Sequence, residues 1–150
     1  MRRRSRADDF SEDAVKPSVK HVALEWRGDL RFEGGEPGRP WVAIDGENAE
    51  APGPMLLLLL AVASCSGADI VLILTKMRVT LQALRVEVEG TRREEEPRRY
   101  TAVTLVYHMA GDGLDQAKAE RAVTLSLEKY CSVVHSLAPD IAIASRVVVA

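Results

Sequence analysis

The sequence has little of what several functional classes require. Aromatic residues make up 5% of its 150 residues, too few to provide stacking platforms for nucleic-acid bases. Neither charge sign is in excess, since 20 Lys and Arg stand against 22 Asp and Glu, so the basic face of a nucleic-acid-binding protein is not expected. Only two cysteines are present, and a disulfide-stapled secreted scaffold would need more.

No secretory leader is visible at the start of the sequence. The arginine-rich residues 2–6 are followed by an acidic stretch, residues 8–13, and not by an apolar segment. Residues 1–16 are therefore predicted to form a disordered polar tail, in preference to a basic anchor for nucleic acid or lipid. Residues 17–150 are predicted to form one domain, because 47% hydrophobic residues suffice to bury a core. We expect the protein to be cytoplasmic.

The most apolar part of the chain is a predicted helix over residues 55–77. It contains five consecutive leucines, residues 56–60, and begins next to Pro54, a residue that suits a first helical turn. Its length is close to that of a membrane span, but Asp69 would be costly in lipid. A fully buried helix in a protein without membrane contact is the preferred interpretation. Because this helix is apolar around its circumference, we expect a second subunit to cover part of it.

The remaining elements predict an α+β fold and not a doubly wound parallel sheet. The pattern gives the order β-β-β-α-β-β-α-β, with charged or Gly- and Pro-rich turns between the strands. The predicted strands are 19–26, 30–32, 41–44, 81–89, 100–109 and 141–149, and an amphipathic second helix is predicted over 114–137.

The two cysteines are the candidate chemical groups. Cys65 lies in the middle of the first predicted helix and Cys131 lies on the second, 66 positions away, so only tertiary structure can bring them together. From spacing alone, two ordinary buried cysteines are favoured over a reactive pair. Asp69 and His135 each follow a cysteine by four residues. Metal is not expected, because the sequence has no CxxC or HxxxH spacing.

Three segments, residues 53–71, 91–111 and 121–137, resemble the OsmC/Ohr family. The similarity is greatest to its YhfA-like branch, with P-M-x-L-L-L and C-x-x-x-D-V in the first helix and E-K-Y-C in the second. The resemblance implies an intertwined homodimer with its active site near the subunit interface. It also implies a thiol-dependent peroxidase for organic hydroperoxides, with a dithiol reductant of the lipoyl type and no cofactor. Cys65 would be the peroxidatic thiol and Cys131 the resolving thiol.

The sequence departs from the family pattern beside the cysteine helix. The family's peroxidases use an arginine from an early turn and a glutamate at the helix start, but Met55 and Leu56 occupy the glutamate's place. Arg27 is the first candidate for the arginine and Arg31 the second. Two alternatives to a peroxidase therefore stay open. One is a non-catalytic dimer that binds an apolar small molecule, and the other is a thiol-based redox sensor.

Overall fold

The computed structural model describes residues 17–150, so the predicted disordered tail over residues 1–16 lies outside the described residues. The chain divides into two compact units, with the boundary between Ala43 and Ile44. Strand β3 runs across that boundary.

The observed elements follow the predicted order β-β-β-α-β-β-α-β, except that three helical segments replace the second predicted helix. The strands are β1 Ala23–Trp26, β2 Arg31–Gly35, β3 Val42–Asp45, β4 Thr80–Arg92, β5 Tyr100–Asp112 and β6 Ala142–Val149. The helices are α1 Pro54–Lys76, α2 Gln116–Leu125, a π-helical turn Ser126–Tyr130 and α3 Ser132–Ser136.

The six strands form two separate three-stranded sheets. One sheet has the order β1-β2-β3, and β1 pairs antiparallel with β2 from Ala23 opposite Gly35 to Trp26 opposite Phe32. The other has the order β4-β5-β6. Its β4 and β5 form a long antiparallel hairpin, whereas β6 runs parallel to β5 after the chain crosses through α2. The α+β class is thus confirmed.

Helix α1 forms because residues 54–76 are rich in leucine and alanine and start with proline at the first helical position. It packs against the β4-β5-β6 sheet and α2. The core joins three elements. Val62, Ile70 and Leu74 of α1 pack against alternate residues of β5 and against the buried residues of α2, which are Ala119, Ala122 and Val123. On β5 the buried side chains are Tyr100, Val103, Leu105, Tyr107 and Met109.

The prediction that α1 is fully buried is wrong for the single chain. Only one stripe of the helix is buried, and Leu60 and Leu72 on other faces are 55% and 63% exposed. By length and composition alone the helix could also cross a membrane, and 22% of the residues in its most apolar stretch are buried. One three-stranded sheet and one short helix do not have enough surface to cover the whole circumference of a helix this long.

The prediction of one continuous helix over 114–137 is also wrong. Helix α2 is capped by Asp115, whose carboxylate accepts the Lys118 backbone N–H at 2.8 Å, and it ends at Leu125. A π-helical turn follows, in which the Cys131 N–H reaches the Ser126 carbonyl at 2.7 Å. Cys131 itself is extended, with φ −69° and ψ 98°, and precedes α3.

Candidate thiol site

The structure brings the two cysteines together at the contact of α1 with the segment after α2. The sulfur atoms of Cys65 and Cys131 and a carboxylate oxygen of Asp69 all lie within 4.8 Å of one another. Both thiols are free. Cys65 is partly exposed, whereas Cys131 is fully buried. The two thiols therefore differ in access to solvent although they are close neighbours.

Backbone geometry on each side explains this convergence. Cys65 and Asp69 are four residues apart on α1, so their side chains lie on the same face one turn apart. Cys131 lies where the π-helical turn ends and α3 begins, not inside a helix as predicted. The wider turn changes the direction of the chain, and a π-helical turn of this kind is frequent at functional sites.

Behind the thiols lies a buried network of hydroxyl groups. The Ser126 hydroxyl donates to a carboxylate oxygen of Asp69 at 2.9 Å and its oxygen lies 3.0 Å from the Ser66 oxygen. The Ser66 oxygen in turn lies 2.6 Å from the phenolic oxygen of Tyr107. Ser66, Tyr107 and Ser126 are all fully buried. Satisfied buried networks of this type fix the orientation of their members, here the Asp69 carboxylate.

The environment of Cys131 disfavours its ionisation. The pKa of Cys131 is raised from its usual 9.0 to about 11, mainly by burial and also by hydrogen bonding and charge from Cys65. The backbone N–H groups of Val134 and Val133 act in the opposite direction. The pKa of Tyr107 is raised to about 12, mainly by burial, although the hydrogen bond with Ser66 acts in the opposite direction. Cys131 is thus held as a neutral thiol at physiological pH.

Arg27, the first candidate for the arginine of the site, lies in the unit that ends at Ala43. Its guanidinium contacts the carboxylates of Glu33 at 2.8 Å and Glu25 at 2.7 Å, within the β1-β2 hairpin. The hydrogen bond to Glu33, followed by that to Glu25, raises the pKa of Arg27. Arg31, the second candidate, lies 3.6 Å from a carboxylate oxygen of Asp29. Action of either arginine on Cys65 stays a prediction.

The start of α1, where the family's glutamate is replaced, has its own polar organisation. The phenolic hydroxyl of Tyr100 donates to the Met55 carbonyl at 2.7 Å. Just upstream, the buried Asp45 carboxylate accepts the backbone N–H groups of Glu47, Ala49 and Glu50 at 2.9–3.1 Å. Asp45 therefore fixes the loop that leads from β3 to α1.

An apolar cavity of about 240 Å³ lies along the first half of α1. Its lining side chains are all apolar and belong to Pro52, Leu56, Leu59, Leu60, Ala63, Val86 and Val88. The α1 residues of this lining recur at helical spacing on one face. Cys65 follows Ala63 by two positions, about 200° around the helix, so the cavity and the thiols lie on opposite sides of α1.

Sequence reasoning missed the residues that support the site. Ser126 and Tyr107 were not identified as site residues, and no side-chain partner was predicted for Asp69. A signal existed for Tyr107, a polar-tipped residue at a core position of a strongly alternating strand. His135 does not complete the cluster among the described residues. Its side chain is exposed and its backbone N–H donates to the Cys131 carbonyl.

Comparison with known proteins places this geometry in a family. The family model for OsmC-like proteins matches residues 46–146. Protein YhfA of Escherichia coli K12 is 39% identical over 111 residues, which cover 73% of this chain and 83% of YhfA.

Two solved structures are similar over most of the chain. A crystal structure of an Aquifex aeolicus protein is 31% identical with a TM-score of 0.77, covering 89% of this chain and 99% of that one. An organic hydroperoxide resistance protein of Legionella pneumophila, also described as a predicted redox protein, shares the fold at 15% identity and a TM-score of 0.63, covering 87% of this chain and 98% of that one. The OsmC-like match over residues 46–146, with the 39% identity to YhfA, shows that this chain belongs to the OsmC-like protein family.

Proposed function

We propose that this protein is a thiol peroxidase that reduces organic hydroperoxides through Cys65 and Cys131. The observation that carries the proposal is the approach of the two sulfur atoms to within 4.8 Å, one partly exposed and the other buried. Membership of the OsmC-like family and the fold shared with an organic hydroperoxide resistance protein support a stress-related redox role. The protein acts in the cytoplasm, where a dithiol can return the site to its reduced state.

The difference in burial supports different roles for the two cysteines. The attacking group must be a thiolate that a substrate can reach. Cys65 is the more accessible sulfur, and a neutral Cys131 thiol beside it donates a hydrogen bond to its thiolate. Cys65 is therefore the peroxidatic residue and Cys131 the resolving residue.

The first step moves one oxygen atom. The Cys65 thiolate attacks the terminal peroxide oxygen, the O–O bond breaks, and with one proton the products are a Cys65 sulfenic acid and an alcohol. Cys131 then loses its proton and attacks the Cys65 sulfur. A Cys65–Cys131 disulfide forms and water leaves.

Oxidation of Cys65 also prepares Cys131 for its step. The negative charge of Cys65 is one cause of the raised pKa of Cys131, and it disappears when Cys65 becomes a neutral sulfenic acid. The backbone N–H groups of Val133 and Val134 remain to stabilise the Cys131 thiolate. A dithiol of the lipoyl type then reduces the disulfide by two thiol exchanges and is itself oxidised to a disulfide.

Thiol counting tests the proposal. Reduced protein is mixed with cumene hydroperoxide and the free thiols are titrated over minutes. We expect both thiols of each chain to disappear with consumption of one peroxide. Thiols that remain unchanged in millimolar peroxide would exclude the peroxidase. The Ser64→Ala variant, altered at an exposed neighbour of Cys65, serves as the matched control.

The protein acts as a homodimer in this proposal. Leu56, Leu60 and Leu72 on α1 are 45–63% exposed in the single chain, and exposed apolar surface of this kind indicates an interface. We expect a dimeric mass by light scattering at micromolar concentration. Leu60→Glu, which places a charge on this surface, should shift the protein toward monomer, and a monomeric mass for the unaltered protein would contradict the dimer.

A non-catalytic ligand-binding function is the second candidate, and the apolar cavity beside Leu56 and Leu60 favours it. A ligand bound there would lie on the side of α1 opposite the thiols. This candidate predicts that the Cys65→Ser variant binds an apolar fluorescent probe as well as the unaltered protein does. It also predicts that cumene hydroperoxide does not oxidise the thiols.

A further inference from the structure

The thiol site contains a third donor that the peroxidase cycle does not use. A carboxylate oxygen of Asp69 lies within 4.8 Å of both sulfur atoms. Zn²⁺ binds cysteine sulfur at about 2.3 Å and carboxylate oxygen at about 2.0–2.2 Å, so donors around one tetrahedral ion lie roughly 3.5–3.8 Å apart. Small side-chain rotations would bring the three donors from their observed spacing to this one.

The backbone positions of the three donors suit a metal site. Cys65 and Asp69 occupy positions i and i+4 on one face of α1, a spacing that lets two side chains of a helix bind one ion. Cys131 reaches the same point from a different element, between the π-helical turn and α3. Two donors are thus carried by α1 and the third by a buried residue between two helical segments, so none lies on an exposed loop.

Hydrogen bonds from neighbouring side chains orient the Asp69 carboxylate, as hydrogen bonds orient the ligands of many protein-bound metals. The Ser126 hydroxyl holds one carboxylate oxygen of Asp69 at 2.9 Å and leaves the other oxygen available. Ser66 and Tyr107 extend this hydrogen-bonded support into the core. Groups of this second layer typically fix the orientation of a ligand and contribute to metal affinity.

We propose that the reduced protein binds one Zn²⁺ ion through Cys65, Asp69 and Cys131. Because Cys65 and Asp69 are partly exposed, the fourth position is open to water or to a small external ligand. Binding converts the two thiols to thiolates and releases two protons. The sequence did not favour a metal site, because it has no CxxC or HxxxH spacing and Cys131 lies more than 60 residues from Cys65 and Asp69.

Zinc and the disulfide exclude each other, since both use the same two sulfur atoms. Oxidation of the zinc-bound form by one hydroperoxide and two protons yields the disulfide, free Zn²⁺, an alcohol and water. Zinc therefore slows oxidation of the thiols, and oxidation releases zinc. Metal binding itself does not depend on the proposed peroxidase activity, because it requires only the reduced side chains.

Metal titration without peroxide tests the proposal. Reduced, metal-free protein is titrated with Co²⁺ as a spectroscopic probe, and Zn²⁺ then competes for the site. We expect one equivalent per chain, a sulfur-to-cobalt charge-transfer band, tetrahedral cobalt absorption and complete displacement by Zn²⁺. Absence of the charge-transfer band, or binding by the preformed disulfide, would overturn the proposal whether or not the protein reduces peroxides.

Variants identify the ligands. Cys65→Ser and Cys131→Ser should each abolish the charge-transfer band or reduce it strongly. Ser126→Ala should lower the Zn²⁺ affinity by about tenfold, because it removes a partner of a ligand. Asp69→Asn should lower the affinity by more, because it changes a ligand itself. Asp112→Asn, a matched change at the exposed end of β5, should have no effect. Unchanged affinity in a folded Asp69→Asn variant, checked by circular dichroism, would refute the three-ligand site.

Discussion

The two segments that carry the cysteines differ in almost every physical respect. Helix α1 is an unbroken run of 23 residues, strongly apolar, with one buried stripe and large exposed leucines. The other segment has a short amphipathic helix, a π-helical turn and a five-residue helix. Yet the regular segment carries the accessible Cys65 and the irregular one carries the buried Cys131. Regularity of the backbone thus does not determine which thiol is exposed.

The largest expected effect tests the different roles of the two cysteines. Cys65→Ser should lower the rate of hydroperoxide consumption by a factor on the order of 10³ or more, because the attacking atom is lost. Cys131→Ser should still react once, giving a stable sulfenic acid that dimedone labels. Stopped-flow kinetics and intact mass measure both results. Equal losses in the first turnover would contradict the assigned roles.

The next prediction compares two faces of α1. Leu74→Ala opens a cavity in the core and should lower the free energy of unfolding by about 2–5 kcal/mol. Leu72→Ala changes a side chain that is 63% exposed in the single chain and should have a much smaller effect. Denaturant unfolding measures both. The effect at Leu72 should grow with protein concentration if the proposed dimer covers this face, and an effect as large as that at Leu74 in dilute protein would contradict the comparison.

Alkaline pH should lower the free energy of unfolding, because Cys131 and Tyr107 are buried as neutral groups. Folding raises the pKa values of Cys131 and Tyr107 above their ordinary 9.0 and 10.0, to about 11 and about 12. The folded state therefore holds these protons more tightly, and this stability is present below pH 9. It is lost as the pH rises from 9 to 12, by roughly 2–3 kcal/mol for each group.

Tyr107→Phe separates the two contributions to alkaline stability. The variant lacks the tyrosine proton, so the decline between pH 10 and 12 should become shallower while the part due to Cys131 remains. Urea unfolding of the reduced protein at a series of pH values measures this. An unchanged slope in the variant would contradict a buried, neutral Tyr107.

The smallest expected effect on stability concerns the β1-β2 hairpin. Arg27→Gln removes exposed ion pairs with Glu25 and Glu33 and should leave Tm unchanged. If Arg27 acts on Cys65, as the family resemblance implies, thiol oxidation should nevertheless slow. Arg31→Gln tests the second candidate in the same way. Equal oxidation rates in both variants and the unaltered protein would remove arginine from the mechanism.

The regular parts of this fold could be predicted from the sequence. Pro54 and the leucine run predict α1 to within one residue at each end, because helix propensity and length agree there. Alternation along β5 and the charged turn before it predict the long hairpin. The cysteines could be named as the chemical groups, and the family resemblance, more than their spacing, pointed to a pair.

The irregular parts could not be predicted. Residues 126–132 contain no Gly or Pro, so nothing local indicates the π-helical turn or the interruption at Cys131. The link from Asp69 through Ser126 and Ser66 to Tyr107 joins residues up to 60 positions apart. Such contacts depend on helix packing, and hydropathy patterns carry no information about the partner of a single buried hydroxyl group.

Peptide mapping after exposure of the reduced protein to one equivalent of cumene hydroperoxide tests the central claim most directly. Mass spectrometry of a digest prepared without reductant should find the peptides of Cys65 and Cys131 joined within one chain. A bond between two copies of Cys65, or two thiols still free after the peroxide has been consumed, would contradict the account.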